Sequence, residues 1–121
     1  PDMSDMGSPE NSWDLHTSLK EYENNIFEWE TDNFRIRVDF LGNDDSDKKE
    51  YRYASWSINQ RHNEEPALVL YSVELILTSN GKKYEFENGL YKYTCTVINE
   101  DPGELIVYKN EQVLRRENFL K

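Results

Sequence analysis

Apolar and polar residues alternate along most of this chain with a period of two, the signature of strands with one face in a core and one toward solvent. The run "NFRIRVDFLG" puts Phe34, Ile36, Val38 and Phe40 on one face and Arg35, Arg37 and Asp39 on the other. It predicts a half-buried strand. "NIFEWE" precedes it across the turn-like "TDN", and "YRYASWSINQ" resumes the alternation beyond residue 50, so residues 34 to 58 read as a hairpin closed by "GNDDSDKKE". Tyr51, Tyr53 and Trp56 are expected to fill the core for the most part.

After the polar break "RHNEEP", the stretch "ALVLYSVELILTS" is the most apolar in the chain, with Val69, Tyr71, Val73, Leu75 and Leu77 at period two. It is the best candidate for a central strand. "SNGK" and "ENGL" each place Asn-Gly between strand-like runs, a type I′ turn signal, predicting hairpins of 68 to 78 with 82 to 87 and of 82 to 87 with 90 to 98. In "NEDPGE", Pro102 and Gly103 are expected to break the strand, and "ELIVYKNEQVLRREN" forms a last hairpin around Lys109, Asn110 and Glu111. Helical spacing occurs once, in "SWDLHTSLKEY", where Ser12 is a candidate N-cap before Leu15, Leu19 and Tyr22. The expected fold is mainly β: an antiparallel meander forming a sandwich or barrel-like sheet, with one short N-terminal helix. Residues 1–11 are read as a disordered N-terminus or a cloning remnant, and 12–121 as a single β-rich domain.

Only 36% of the 121 residues are apolar, but 3 Trp, 8 Tyr and 5 Phe supply enough area for a core. Against 14 Lys and Arg stand 24 Asp and Glu, a formal charge of −10. Such a field disfavours nucleic acid and anionic membrane and favours cations or basic proteins as partners. No run approaches the roughly 20 apolar residues of a membrane span. The lone Cys95 shares a strand face with Tyr91, Tyr93 and Val97 and reads as a small buried hydrophobe. A reducing, cytoplasmic location is the simplest expectation.

Where could chemistry reside? Asp44, Asp45 and Asp47 fall within four positions and repel one another unless a cation intervenes; Asp39 could turn toward them. Calcium takes about six to eight oxygen ligands, which suits a carboxylate-rich loop. The EF-hand pattern is absent: counted from Asp45, the fifth position is Lys49 and no Gly holds the sixth. "INEDPGE" offers a second set in Asn99, Glu100, Asp101 and Glu104, and Glu30 and Asp32 mark a third acid-bearing turn. The plain alternative for each is a solvated turn. Arg35, Arg37 and Arg52 are expected on outward faces, balancing charge locally. Zinc is disfavoured, since Cys95, His16 and His62 show no paired spacing. No nucleophile elbow, phosphate loop or dinucleotide fingerprint occurs, and no enzymatic role is expected.

The acidic hairpin loops "DFLGNDDSDKKEY" and "INEDPGE" give the chain a resemblance, over its whole length, to the small acidic calcium-binding proteins of filamentous cyanobacteria. That resemblance implies a cytoplasmic protein that buffers or sequesters calcium without an EF-hand until signalling in heterocyst differentiation releases it. The leading expectation is therefore calcium binding through surface-loop carboxylates, with Asp39, Asp44, Asp45, Asp47, Glu100 and Asp101 as candidate ligands. The alternative is an acidic interaction or immunity-type protein that masks a basic site on a partner, with the charge steering association.

Overall fold

The computed structural model describes residues 15–43, 49–72 and 74–120. Nine strands follow one another: β1 (Asn24–Glu30), β2 (Phe34–Asn43), β3 (Lys49–Ser57), β4 (Leu68–Ser72), β5 (Leu75–Thr78), β6 (Gly81–Asn88), β7 (Tyr91–Ile98), β8 (Asp101–Lys109) and β9 (Gln112–Asn118). They form two antiparallel sheets in sequence order, β1-β2-β3-β4 and β5-β6-β7-β8-β9. An antiparallel bridge between Leu120 and Glu30 brings the end of the second sheet onto β1, with the Leu120 N–H donating to the Glu30 carbonyl at 2.6 Å. The mainly β, antiparallel architecture is the one the alternation predicts. No helix among the described residues is long and apolar enough to cross a membrane.

The faces follow the period-two pattern on the inner side. Ile36 and Val38 from β2, Tyr51 and Tyr53 from β3, Tyr84 and Phe86 from β6, Cys95 from β7 and Leu105 from β8 are buried in one cluster, with Phe34 and Phe40 packed against it. Rings supply much of the inter-sheet contact. Tyr53 lies 5.5 Å from Phe86 and 5.4 Å from Tyr93, and Tyr51 lies 5.4 Å from Tyr84, tilted or edge-on as ring quadrupoles prefer.

Several expectations are corrected. No N-terminal α-helix forms over the described part of its span; one 3₁₀ turn, Thr17–Leu19, remains. Leu19 is drawn down onto Ala54 and Trp56, and the His16 N–H is tied to the His62 carbonyl at 2.9 Å, so side-chain packing on a sheet overrides a short, weakly nucleated helix. The apolar run after Pro66 is not one central strand but two edge strands in different sheets. Its facing changes midway: Leu68 and Leu70 point to the core in β4, whereas Leu75 does in β5. Tyr71 and Leu77, predicted to share the apolar face, are exposed.

Neither Asn-Gly pair forms a type I′ turn. Gly81 already belongs to β6, and at Gly89-Leu90 only Gly89 has positive φ, +64°, as in a type II′ turn. The two left-handed central pairs are Asn99-Glu100 (φ 51° and 70°) and Asn110-Glu111 (φ 52° and 69°). Pro102 and Gly103 do not interrupt the strand either. Both lie inside β8, with Pro102 beyond the last β8–β9 pair, Glu104–Asn118, where no ladder on that side requires an N–H. Gly103 meets the β7 irregularity at Thr96: a Cβ there would stand 2.3 Å from the Thr96 hydroxyl, which accepts from the Glu104 N–H at 2.7 Å.

The buried phenols and thiol bear on alkaline stability. Burial pushes Tyr84 up to about 12, with Tyr51 and Cys95 nearby adding to the shift, and burial also raises Tyr51, Tyr53, Tyr93 and the Cys95 thiol. A raised folded pKa means that the folded chain holds protons the unfolded chain would release. Stability is therefore complete below the unfolded pKa values and lost as pH rises above them. Urea unfolding followed against pH is expected to show a decline that begins above about pH 9 and steepens above 10, with the share of phenolate absorbance that belongs to the buried rings appearing at the unfolding transition. Full phenolate absorbance at pH 11 from a still-folded chain would contradict this.

Candidate binding groove and the acidic side chains

The outer face of the first sheet carries charges, and it is not exposed. Arg37, Asp39 and Arg52, expected to point outward, are only 6%, 0% and 3% accessible. Cross-strand register sets Asp39 opposite Arg52 and Arg37 opposite both Ala54 and Glu28. Residues 15–22 and the β3–β4 connection cover them. Asp39 Oδ2 accepts from Arg37 Nε and Arg52 Nη2, both at 2.9 Å, and Oδ1 accepts from Asn25 Nδ2 at 3.0 Å. Arg52 also donates to the Leu19 carbonyl at 2.8 Å, and Arg37 to Glu28 Oε1 at 2.9 Å. Burial alone would lower the Arg37 pKa, but Asp39 and Glu28 together outweigh it and raise it. The Tyr22 ring lies over the same guanidinium at 4.8 Å.

The network continues outward. His62 Nδ1 lies 2.9 Å from Glu28 Oε2, Arg35 pairs with Glu30 at 2.6 Å, and Trp56 Nε1 donates to the Glu64 carbonyl at 2.8 Å. Charge balance is thus the role of these arginines, as their composition suggests, but inside a covered layer.

Of the candidate ligands, Asp44, Asp45 and Asp47 lie outside the described residues. Asp39 has both carboxylate oxygens engaged by donors. Glu100 is exposed at the second central position of the β7–β8 turn, and Asp101 opens β8 opposite Ile98. Glu104 is paired with Arg116 at 2.9 Å. Among the described residues, no three His, Cys, Asp or Glu side chains converge in an arrangement that could hold a metal ion.

A feature that hairpin reading misses is a groove of about 500 Å³ between β1 and the turns of the second sheet. Phe27, Trp29, Tyr84 and Val97 give it an aromatic and aliphatic lining, with Ile26 and Leu77 beside them. Phe27 and Trp29 stack at 4.2 Å, and Phe119 braces both at 5.5 Å. The rim is polar: Ser79 and Asn80 from one turn and Lys82 from the start of β6, Asn99 and Glu100 from the next turn, with the Asn99 N–H donating to the Asn80 carbonyl at 2.8 Å. One local signal points here. Ile26 and Phe27 are adjacent apolar residues that break the alternation of β1, and the register slips at that place.

No family model matches the chain, and comparison with curated proteins and with solved structures finds no match either. The resemblance to cyanobacterial calcium-binding proteins accordingly rests on size, charge, strand content and the acidic hairpin loops.

Proposed function

We propose that this is a non-catalytic binding domain whose partner is a basic protein segment. The groove is the observation that carries the reading: a cleft with an aromatic floor and a polar rim is the usual form of a recognition site, and here it opens on a domain of formal charge −10. Apolar contact supplies affinity in such a site, while the surrounding charge speeds association and selects against acidic partners. Calcium binding is the second reading. It rests on the sequence clustering of Asp44, Asp45 and Asp47, whose mutual repulsion a cation would relieve.

Selection of a random peptide library on the immobilised domain, run in parallel with a chelator and with calcium, separates the two. Enrichment of peptides rich in Lys or Arg and in large apolar residues, equal in both arms and weakened by salt, supports the first reading. Enrichment only with calcium, abolished by changing Asp44, Asp45 and Asp47 together to Asn, transfers the function to the loop. No enrichment in either arm rejects the binding reading.

A further inference from the structure

We infer that the partner segment binds as an added β-strand along the outer edge of β1, with alternate side chains set into the groove. The inference rests on the binding reading above and adds its mode and ligand class: an extended peptide alternating apolar and basic residues.

Backbone geometry comes first. Among the described residues β1 is an edge strand, its ladder formed on one side with β2. The Thr31 N–H donates to the Phe34 carbonyl at 2.8 Å, so Thr31 faces β2; by alternation Glu30 faces away, and its carbonyl accepts from Leu120 at 2.6 Å. The outer edge of β1 therefore already takes a strand partner at one point. Glu28, two residues along, turns its backbone N–H and carbonyl in the same direction, and edges of this kind are templates for strand addition.

Side chains supply the specificity. A strand laid along this edge would present every second residue to the cleft beside Phe27 and Trp29, where Ile26 (37%) and Leu77 (73%) are more exposed than large apolar residues in a finished core. The intervening residues would lie on the side of Glu30, whose carboxylate is 45% accessible despite its pairing with Arg35. Exposed Glu100 stands on the rim. The Glu30 carboxylate favours Lys or Arg on its side, while Glu100 and Lys82 on the groove rim offset each other. β9 is also an edge strand with exposed Val113 and Leu114, but neither residue lines the groove.

The test uses a synthetic heptapeptide, blocked at both ends, that alternates lysine with valine, isoleucine and phenylalanine. Its controls are a version with the lysines grouped together and versions N-methylated at successive backbone positions. The alternating peptide is expected to bind at least tenfold more tightly than the grouped one. N-methylation should weaken binding tenfold or more at every second position and little between. Leu77→Asp should cost a similar factor, whereas Leu114→Asp on β9 should leave affinity unchanged. Equal binding of alternating and grouped peptides, or indifference to N-methylation, would overturn strand addition while leaving a charge-driven binding domain standing. Failure of the alternating peptide to bind, when library selection yields other ligands, overturns strand addition alone; failure of both experiments removes the binding reading as well.

Discussion

Asp39→Ala is expected to lower folding stability by about 3–5 kcal/mol, because it removes the carboxylate shared by two buried guanidinium groups and leaves that of Arg52 without a counter-charge. Arg37 and Arg52 each donate to Asp39 Oδ2 at 2.9 Å, and Arg52 is only 3% accessible. Glu28 would still partner Arg37, but Arg52 would keep, among the described residues, main-chain acceptors alone, the Leu19 and Glu21 carbonyls. The loss measures the cost of uncompensated charge, not the net value of the ion pairs. A chain in which Arg37, Asp39 and Arg52 are all replaced by apolar residues of similar volume should recover most of the loss. Urea unfolding of the two variants beside the parent checks both statements; a change below about 1 kcal/mol for Asp39→Ala, the range of an exposed pair, would show that the layer is not sealed from water.

Trp56→Ala is the second large effect, expected at about 3–5 kcal/mol from the cavity left by a fully buried indole. Trp56 packs with Leu19 and Ala54 in a small cluster of its own on the outer face of the first sheet, and its Nε1 donates to the Glu64 carbonyl at 2.8 Å. Its removal should loosen residues 15–22 and 58–66 before the inner core. Hydrogen exchange at the His16 and Leu19 amides, both bonded within this layer, should accelerate more than exchange in β7 and β8. Trp56→Phe keeps most of the ring and loses one hydrogen bond, so its cost should fall well below that of alanine. If exchange rises evenly across the molecule, the outer layer has no separate stability.

The inner faces and most hairpins are legible in the sequence because period-two alternation encodes them directly. Ile36, Val38 and Cys95 lie where the pattern puts them. The outer face of the first sheet was misread for a specific reason. Charged residues at alternate positions in β2 look solvated, and only their neighbours in β3 say otherwise: Ala54 and Trp56 are apolar at the same parity as Arg52, while Tyr51 and Tyr53 occupy the other face. A strand apolar on both faces is covered on both. The division of residues 68–78 between two sheets was hidden because the apolar alternation continues through the junction at Glu74. Beyond the paired Ile26 and Phe27 the groove leaves no mark in the sequence, since it arises where β1 meets turns about fifty or more positions away along the chain.

The order of the strands also governs how the chain finds its fold. Every pairing in the two sheets joins sequence neighbours, so each hairpin closes a short loop and offers its free edge to the strand that follows. Strand pairing by zippering needs no distant partner until the end. Among the strand pairings the bridge between Leu120 and Glu30 is the exception, closing a loop over most of the chain, as the neighbouring ring contact of Phe27 with Phe119 does. On this ground β1 is the strand whose outer edge waits longest for company during folding, and among the described residues the bridge at Glu30 is the one partner that edge acquires.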